Sequence, residues 1–355
     1  MSLRSLELAR QGVGLVSPNP LVGCVIFSKE GEVVGEGSYA YNGVTHAEVL
    51  ALGQAGERAR GATAYVSLEP HSHQGKTPPC SEALIQAGIV RVVAPIEDPN
   101  PLVSGKGFQA LRDAGVEVAT GLLAEEASRL NEKFICWHKK ARPYVHLKMA
   151  MSLDGRISLG RSISTALSGE EAVARVHAMR HEHDAILVGA NTVVVDDPSL
   201  TDRSGLERRR KLVRVILDNR LRTQLDAAVV TTAVDTPTII VSNADDNEKI
   251  AAMIARGVDV LRIDARDLRA VLQALLEREL QSVLVEGGTE VAGAFRDAVL
   301  IDKISLMISP RIIGGADAPF AFGGRGASTI EEAVTLKDVS VERHGEDIEI
   351  TGYPV

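Results

Sequence analysis

The chain has 355 residues, of which 45% are hydrophobic and 3% are aromatic, and its formal net charge at pH 7 is -8. This length and composition predict two globular domains with aliphatic cores, and the acidic balance argues against a nucleic-acid substrate. A basic run, Arg208-Arg209-Arg210-Lys211, stands beside acidic residues, which is typical of a solvated loop.

The first half of the chain alternates helical and extended patterns. The predicted elements are a helix at Ser2–Arg10, a rigid turn at Ser17–Pro20, a hairpin of Val22–Phe27 and Val33–Glu36, a helix from His46, a strand at Ala64–Leu68, a helix from Ser81, a strand at Ile89–Ala94, a helix near Gly107–Ala114, a strand at Val116–Ala119 and one helix from Ala124 to about His138. This order predicts an α/β sandwich. We predict two domains, at residues 1–142 and 143–355. The boundary lies in a basic segment that ends in proline, Lys139-Lys140-Ala141-Arg142-Pro143.

The second half restarts the alternation with an apolar strand from Tyr144. Further predicted strands are Ala185–Val188, Val213–Leu217, Thr238–Val241, Val258–Arg262, Ser282–Val285 and Lys303–Ser309. Helices lie between them, among them Glu170–Arg180 and one that runs from Thr289 to about Ala298. The pattern predicts a second α/β domain.

Side chains of the types that bind metal ions lie at the starts of two predicted helices. His46 and Glu48 open the first, and Cys80 follows two prolines at the start of the second. Zinc that activates water for hydrolytic deamination needs three protein ligands, an open fourth position and a nearby carboxylate that moves protons. His46 fits as one ligand and Glu48 as the proton carrier, while Cys80 and one residue of the Pro70–His73 stretch can complete the set. The dipole of its helix favours the thiolate form of Cys80.

Two other interpretations use the same residues. A lone His-Ala-Glu sequence often occurs by chance and then binds no metal. Here, however, the loop with the other possible ligands follows a predicted buried strand and contains stiff prolines, which favours a metal site. If His73 were a fourth protein ligand, the zinc would be structural. A structural site, however, has no use for the carboxylate of Glu48, so we favour a catalytic site.

A larger set of motifs covers nearly the whole chain. In the first half they are Pro18-Asn19-Pro20, Val22-Gly23-Cys24-Val25-Ile26, His46-Ala47-Glu48, Glu69-Pro70, Ser72-His73, Gly75, Thr77-Pro78-Pro79-Cys80 and Asp98-Pro99-Asn100-Pro101. In the second half they are Leu147-Lys148-Met149-Ala150-Met151-Ser152-Leu153-Asp154-Gly155-Arg156, Ala185-Ile186-Leu187-Val188-Gly189-Ala190, Asp196-Asp197-Pro198, Leu200-Thr201, Arg203 and Val285-Glu286-Gly287-Gly288. With this joint pattern the chain resembles the family of bifunctional deaminase/reductases of riboflavin biosynthesis. The resemblance implies an N-terminal cytidine-deaminase-like α/β/α domain followed by a dihydrofolate-reductase-like α/β domain.

For the first half, the resemblance implies hydrolytic deamination of a phosphorylated pyrimidine. One zinc ion per chain would be bound by His46, His71 and Cys80, with Glu48 as the catalytic proton carrier. The family usually has a cysteine at the position of His71. Histidine is a competent zinc ligand, although a His-His-Cys set carries one negative charge less than His-Cys-Cys. The alternative is a chain that acts only as a reductase, with a deaminase domain altered or inactivated by this change.

For the second half, the resemblance implies NADPH-dependent reduction of a ribosyl side chain to ribityl. A Gly-x-Gly-x-x-Gly sequence does not follow any strand there; instead, two glycines join a predicted strand to a helix, where backbone N–H groups can approach a diphosphate. The cofactor-binding residues implied by the family are Ala150, Thr192, Asp196, Gly287, Gly288 and Thr289.

Substrate contacts are expected in both halves. Asn19 and His73 are candidates in the deaminase half. The family implies five further substrate-binding residues in the reductase half, namely Ser164, Arg180, Leu200, Arg203 and Glu286, and arginine suits bidentate phosphate binding. The family usually has a tryptophan where Ala166 stands, and this loss is expected to open the pocket unless Leu167 fills it. Lys148 and Asp154 flank the strand that would face the nicotinamide, and we considered each as a proton donor.

The remaining expectations concern the surroundings of the protein. Cys24, Cys80 and Cys136 are too few for a disulfide framework, and Cys24 is predicted to be a buried thiol. The sequence has neither a secretion signal nor a stretch that approaches a membrane span. We therefore expect a cytoplasmic enzyme that acts on phosphorylated pyrimidine small molecules, forms a homo-oligomer (dimer or tetramer) and binds neither nucleic acid nor membranes.

Overall fold

A computed structural model describes residues 1–41, 45–72 and 79–355 of the chain. The chain divides into two compact units, Met1–Ala141 (unit 1) and Arg142–Val355 (unit 2). Arg142 begins unit 2 with a buried ion pair, since its guanidinium donates to the two oxygens of Asp302 at 2.6 and 2.8 Å. The same carboxylate accepts the backbone N–H of Val145 at 2.9 Å, which fixes the start of the first strand of unit 2.

Unit 1 is a five-stranded sheet with helices packed on it. Its strands are β1 (Gly23–Phe27), β2 (Val33–Ser38), β3 (Thr63–Val66), β4 (Arg91–Ala94) and β5 (Glu117–Thr120), in the order β2-β1-β3-β4-β5. Its helices are α1 (Ser2–Arg10), α2 (Ala47–Ala55), α3 (Cys80–Gln86), α4 (Lys106–Asp113), α5 (Ala124–Leu130) and α6 (Glu132–Lys140), with a short 3₁₀ helix at Gly56–Ala59. Strand β1 is antiparallel to β2 and β3, whereas β3, β4 and β5 are parallel.

Two glycines let helix α2 lie directly on strand β2. A Cβ atom at Gly35 would stand 2.0 Å from the carbonyl oxygen of Ala51, and one at Gly37 would stand 2.1 Å from that of Ala47. Any larger residue would push the helix away from the sheet. This close contact fixes the first turn of α2, and with it the backbone of His46 and Glu48.

The prediction of one helix from Ala124 to about His138 is wrong. The structure has two helices, α5 and α6, which break at Asn131. The side chain of Asn131 accepts the N–H of Leu21 at 2.8 Å and donates to its carbonyl oxygen at 3.0 Å. An asparagine that bonds to backbone groups of another segment has a conformation that competes with the helix, which explains the interruption.

Unit 2 is built on a nine-stranded sheet. Its strands are β6 (Tyr144–Ser152), β7 (Ala185–Gly189), β8 (Val213–Leu217), β9 (Thr238–Val241), β10 (Asp259–Leu261), β11 (Ser282–Val285), β12 (Lys303–Ser309), β13 (Leu336–His344) and β14 (Asp347–Pro354), in the order β10-β9-β8-β7-β11-β6-β12-β14-β13. Its helices are α7 (Glu170–Glu182), α8 (Ala190–Asp196), α9 (Ala228–Thr231), α10 (Asn247–Ile254), α11 (Leu268–Leu276) and α12 (Thr289–Asp297). The sheet is parallel from β10 to β12, and the hairpin of β13 and β14 is antiparallel to it. The carboxyl ends of the parallel strands therefore meet at one edge, where ligands bind in α/β sheets.

The basic run at positions 208–211 is not a solvated loop. The side chain of Arg208 is 15% exposed and pairs with Asp202 at 2.8 Å. It also donates to the carbonyl oxygens of Arg180 at 3.1 Å and His183 at 2.7 Å, at the end of α7. The guanidinium groups of this run therefore stabilise the loop that precedes β8, because they satisfy carbonyl groups that the helix end leaves unpaired.

The structure also bears on the predictions about the cysteines and about membrane spans. Cys24, Cys80 and Cys136 are all buried, as predicted for the Cys24 thiol. Within the described ranges, no helix combines the length and the apolar character needed to cross a membrane.

Candidate active sites

Unit 1 brings three zinc-ligand side chains together. The ligand atoms of His46, His71 and Cys80 all lie within 4.8 Å of one another. His46 is the N-cap of α2, and Cys80 is the first residue of α3. His71 is held against the start of α3, since its carbonyl oxygen accepts the N–H of Ser81 at 3.2 Å and the Ser81 hydroxyl at 3.3 Å. Two helix starts and one loop thus converge on one point.

The two histidine rings are packed in a fixed arrangement. Their centroids lie 4.5 Å apart with the planes inclined by 30°, and Tyr39 contacts His46 edge-on at 5.3 Å. Asn19, predicted as a substrate contact, donates from Nδ2 to the Tyr39 hydroxyl at 2.8 Å. Asn19 therefore acts on the cluster through Tyr39, which the sequence analysis did not identify. His73 lies outside the described residues.

Glu48 lies beside this cluster and is only 2% exposed. Its Oε2 oxygen has no hydrogen-bond partner within the part of the chain that the structure describes. Burial raises the pKa of Glu48 above its usual range, against the opposing effect of the neighbouring His46. A buried carboxylate oxygen with no protein partner is costly, so its place next to three metal-ligand atoms fits a group whose partner is a ligand or a water molecule.

The ionisation of Cys80 differs from what its position at a helix start suggests. Burial, followed by the negative charge of Glu48, raises the pKa of the Cys80 thiol far above its usual value. Both effects oppose the dipole of this seven-residue helix, which favours the thiolate. A coordinated metal ion deprotonates a thiol outright, so the donor set as a whole fits a cation between His46, His71 and Cys80.

The carboxylate of Glu69 fixes the loop that carries His71. It accepts backbone N–H groups of Asp98, Gly105, Gly107 and Phe108 at 3.0, 2.9, 2.8 and 3.2 Å. A Cβ atom at Gly107 would stand 1.8 Å from the carbonyl oxygen of Pro70, so α4 approaches this loop closely. Sequence reasoning used the Glu69-Pro70 pair only as a motif. The indication that the sequence offered for its role was an acidic residue directly after the predicted strand Ala64–Leu68.

Unit 2 contains a cavity of about 1240 Å³ at the carboxyl edge of its parallel strands. This volume exceeds that of an ordinary small-molecule pocket, as expected for a site that holds a cofactor and a substrate together. Eight of the eleven residues predicted to bind ligands in this half line it, namely Ala150, Ser164, Thr192, Asp196, Glu286, Gly287, Gly288 and Thr289. Three predicted substrate contacts, Arg180, Leu200 and Arg203, are not among the lining residues.

Arg180 reaches the cavity through Glu286. Its Nε and Nη2 atoms donate to the two oxygens of Glu286 at 2.7 and 3.0 Å. The Lys148 ammonium, which lines the cavity, lies 3.8 Å from the same carboxylate. Burial opposes ionisation of Glu286, but Lys148 and Arg180 outweigh it and lower its pKa, while burial lowers the pKa of Lys148. The site thus contains a buried group of two cations around one carboxylate.

The loop after Asp196 places the other two predicted contacts differently. Leu200 is 4% exposed and packs in the core. Arg203 is exposed, and its Nε donates to the Thr201 hydroxyl at 3.3 Å. Arg180 holds this loop, because its Nη1 donates to the carbonyl oxygen of Thr201 at 3.0 Å. Arg180 therefore links the loop that carries Leu200 and Arg203 to Glu286 in the cavity.

The glycine turn between β11 and α12 has the geometry of a diphosphate cradle. A Cβ atom at Gly287 would stand 2.5 Å from the side chain of Val291, so only glycine fits there. Gly288 is the N-cap of α12, whose first N–H groups face the same cavity. The Thr289 hydroxyl donates to the carbonyl oxygen of Phe320 at 2.5 Å. These features fit a nucleotide diphosphate bound at the helix start.

Two positions singled out from the sequence, Asp154 and Ala166, do not line the cavity. Asp154 accepts the Ser152 hydroxyl at 2.6 Å and the N–H groups of Ile313 and Gly314 at 2.9 and 2.7 Å. These bonds lower the pKa of Asp154 to about 2, which leaves it no proton to donate near neutral pH. Ala166 is exposed and does not line the cavity, whereas the neighbouring Leu167 is 6% exposed.

Both units match models of known protein families. The cytidine and deoxycytidylate deaminase zinc-binding region matches residues 2–95, and the RibD C-terminal domain matches residues 143–350. Riboflavin biosynthesis protein RibD of Actinobacillus pleuropneumoniae is 44% identical over 349 residues, which cover 97% of this chain and 92% of that protein. The RibD protein of Escherichia coli (strain K12) is 36% identical over 356 residues, which cover 97% of this chain and 96% of that protein.

Solved structures give the same result for the fold. Acinetobacter baumannii RibD (form 1) superposes with a TM-score of 0.88 at 36% identity, covering 100% of this chain and 98% of that one. A diaminohydroxyphosphoribosylaminopyrimidine deaminase/5-amino-6-(5-phosphoribosylamino)uracil reductase from Thermotoga maritima superposes with a TM-score of 0.87 at 36% identity, covering 99% and 97%.

The fold and its two sites define a bifunctional enzyme, in which a deaminase domain is followed by a reductase domain. The chain belongs to the RibD family of riboflavin biosynthesis.

Proposed function

We propose that unit 1 hydrolytically deaminates a diaminohydroxyphosphoribosylaminopyrimidine, and that unit 2 then reduces 5-amino-6-(5-phosphoribosylamino)uracil with NADPH. These are the two activities in the name of the Thermotoga maritima relative. One zinc ion, held by His46, His71 and Cys80, serves the first reaction. The convergence of these three ligand atoms within 4.8 Å, with the carboxylate of Glu48 beside them, is the observation that carries the proposal.

Among the residues that the structure describes, the donor set in unit 1 consists of three protein ligands, as in a catalytic zinc site. Three protein ligands leave one coordination position open, whereas a structural site uses four. Zinc bound there supplies Lewis acidity that makes a water molecule nucleophilic near neutral pH. His71 occupies the position of a cysteine in most members of the family, and its imidazole is an equally competent ligand.

Glu48 has the geometry of a proton carrier. Its buried Oε2 oxygen is not used by the described protein groups and is therefore free to accept a proton from water. The same carboxyl group then delivers a proton to the amine that leaves the pyrimidine ring, as general acid/base catalysis requires. Tyr39 contacts the His46 ring, and Asn19 bonds to Tyr39. These contacts hold the imidazole in a fixed position beside the carboxylate of Glu48.

In unit 2 the protein positions two reactants and excludes water. NADPH supplies the hydride when it is bound. Gly287, Gly288 and Thr289 would hold its diphosphate, while Ala150, Thr192 and Asp196 line the cavity beside them. Ser164 and Glu286 would bind the phosphorylated substrate from the same cavity. Arg180 keeps Glu286 ionised and oriented, and through Thr201 it positions the loop that carries Leu200 and Arg203.

Zinc quantification combined with two separate assays tests this function. We expect about one zinc per chain, ammonia release from the diaminopyrimidine without NADPH, and NADPH oxidation with the deaminated substrate alone. Ammonia release without zinc would contradict the assignment of unit 1, and failure of the chain to bind any pyridine nucleotide would contradict that of unit 2. The cytoplasmic location and the homo-oligomeric state stay predictions.

A further inference from the structure

Two buried ion pairs hold helix α7 on the sheet of unit 2. One is the pair of Arg180 and Glu286. In the other, Arg175 donates from Nε to Oε2 of Glu349 at 3.1 Å, and the Glu349 side chain is 3% exposed. The two arginines are five positions apart, which is about 7.5 Å along a helix. Glu349 lies on β14, in the C-terminal hairpin, and neither the sequence motifs nor the proposed reaction uses it.

The strands beneath α7 connect this second pair to Lys148. In the register of the sheet, Lys148 on β6 lies opposite Ser305 on β12, and Ser305 lies opposite Thr351 on β14. Residues paired in this way point to the same face of a sheet. It is the face that α7 covers, because Met179 of the helix packs in one buried cluster with Met307, two positions after Ser305. The Lys148 side chain and the second ion pair therefore lie under the same helix.

The hydroxyl of Ser305 joins the carboxylate of Glu349 to this row. Ser305 Oγ donates to Oε1 of Glu349 at 3.0 Å, and Thr351 Oγ1 donates to the same oxygen at 3.0 Å. Neighbouring strands are spaced by about 4.8 Å, so the charge of Glu349 stands one strand from Lys148. Burial lowers the pKa of the Lys148 ammonium, whereas Glu286 and Glu349 raise it. The C-terminal hairpin thus acts on a cation that lines the cavity.

Two groups of opposite net charge lie under α7. The first has two cations around one carboxylate, and so one positive charge in excess: Lys148, Arg180 and Glu286. The second has two carboxylates around one cation, and so one negative charge in excess: Glu349, Glu182 and Arg175. A buried charge without a counter-charge is costly, so each group compensates the excess of the other. The balance depends on the ionised form of Glu349.

Other titratable side chains border the two groups. They are His146 on β6, Lys303 on β12, His177 on α7 and His344 on β13. His344 belongs to the second group, since its Nε2 donates to Glu349 at 2.9 Å. Above the usual pKa range of histidine these imidazoles are neutral. At alkaline pH the carboxylates therefore decide whether the buried Lys148 ammonium keeps its charge.

We propose that Glu349 is a positioning residue of the reductase site, which supplies the second negative charge that keeps the Lys148 ammonium charged inside the cavity. Glu286 alone is shared between two cations, and in the proposed reaction it also binds the substrate. Glu349 is not among the residues that line the cavity, so it acts through Lys148, which is. The inference rests on the proposed function, because it takes the cavity of unit 2 as the site of reduction.

Titration of Lys148 in the full-length zinc-bound chain tests the proposal directly. Carbon-13 NMR of labelled lysine side chains, assigned with Lys148→Met, follows the loss of the proton as pH rises. Removal of a negative charge disfavours the ammonium, so Glu349→Gln should move the midpoint of this titration to lower pH by about one pH unit. The alkaline limb of kcat for NADPH oxidation with the deaminated substrate should move in the same direction by the same amount.

Two further variants serve as controls. Glu349→Asp retains the negative charge and should titrate close to the natural chain. Glu342→Gln removes the carboxylate that lies directly opposite Glu349 on β13 and is exposed. This variant should leave the Lys148 titration and the pH profile unchanged, because water and salt screen an exposed charge.

Several results would overturn the inference. One is an unchanged Lys148 titration in Glu349→Gln, together with a kcat that falls by one factor at every pH, which is the result of a purely structural role. Another is an equal shift in Glu342→Gln, which would assign the effect to the overall field of the unit. If Glu349→Gln alone does not fold, Lys148→Met/Glu349→Gln should fold, because it also removes the uncompensated ammonium; failure of both would contradict the proposal.

Failure of the proposed function gives a different result. A natural chain that oxidises no NADPH with the deaminated substrate would refute the reductase assignment of unit 2. The NMR titration does not depend on turnover, so it would still decide whether Glu349 keeps Lys148 charged.

Discussion

The imidazole rings of His46 and His71 stack with their centroids 4.5 Å apart, and both present a nitrogen within 4.8 Å of the Cys80 sulfur. His71 therefore lies in one cluster with two other side chains that can bind a metal. Its carbonyl oxygen is bonded to Ser81, so the loop position does not depend on the metal alone.

We expect His71→Ala to lose zinc and deamination together, because two protein ligands do not hold zinc in a stable site. His71→Cys should keep zinc, since a thiolate is an equally suitable donor. His138→Ala is the control, as this histidine of unit 1 contacts Phe134 rather than the cluster. Metal analysis of the purified variants and an ammonia assay check the prediction. Full zinc content in His71→Ala would show that His71 is not a ligand.

Glu48→Gln should retain zinc and lose deamination. The amide has the same shape as the carboxylate but does not accept a proton, and loss of general acid/base catalysis costs on the order of a hundredfold or more in rate. Reduction of the already deaminated substrate should be unchanged, which separates the effect from unfolding. Normal ammonia release by this variant would eliminate the proton-carrier role.

The ion pair of Arg180 and Glu286 should contribute to the stability of unit 2 as well as to substrate binding. The side chains are 13% and 11% exposed, so Arg180→Met leaves a buried carboxylate that has lost its guanidinium partner. We expect a loss of roughly 3 kcal/mol in the free energy of unfolding, as is typical when one partner of a buried pair is removed. The double variant Arg180→Met/Glu286→Gln should recover part of this loss in urea unfolding experiments. Additive losses would mean that the two side chains are not coupled.

Asp98 should make the stability of unit 1 depend on pH. Burial, with a further contribution from Glu69, raises its pKa from 3.8 to about 6, against the lowering effect of the Asn100 N–H. Between these values the folded chain holds the proton and the unfolded chain does not. The free energy of unfolding therefore falls as pH rises from about 4 to about 6.

Asp98→Asn removes this dependence while its amide oxygen can still accept from Asn100. At pH 7 we expect the variant to be more stable than the natural chain by about 1–3 kcal/mol, with the difference disappearing near pH 4. Urea unfolding at the two pH values measures it. Asp113→Asn, at an exposed carboxylate of α4, is the control and should show no such trend. If Asp98→Asn changed the free energy of unfolding by the same amount at both pH values, ionisation of Asp98 would not be the cause.

Much of the fold follows from periodicity, because the buried strands of both units carry strong apolar patterns. Strands β7, β8, β9, β11 and β12 were predicted to within one residue at either end. The misses have physical causes. The break at Asn131 depends on bonds to Leu21, which are remote in sequence. Strand β13 was missed because seven of its nine residues are exposed and it has no buried face to create a pattern.

The candidate sites were predicted less evenly. His46 and Cys80 could be named as candidate ligands because zinc chemistry limits the residue types, whereas the choice of His71 within the Pro70–His73 stretch came from the family resemblance. The sequence could not show which of the predicted side chains contact the cavity directly. Arg180, for example, acts through a bond to Glu286, which is 106 positions away along the chain. The role of Glu69 depends on four backbone N–H groups, and the sequence does not show which backbone groups lie near a given side chain.

Ammonia release by the zinc-bound chain in the absence of NADPH is the most direct test of the whole account. With the diaminopyrimidine as substrate, we predict ammonia release without any pyridine nucleotide, and NADPH oxidation that begins only after the amine has been lost. A chain that contains zinc and oxidises NADPH with the deaminated substrate, yet releases no ammonia from the diaminopyrimidine, would show that the His46, His71 and Cys80 site is not a deaminase centre.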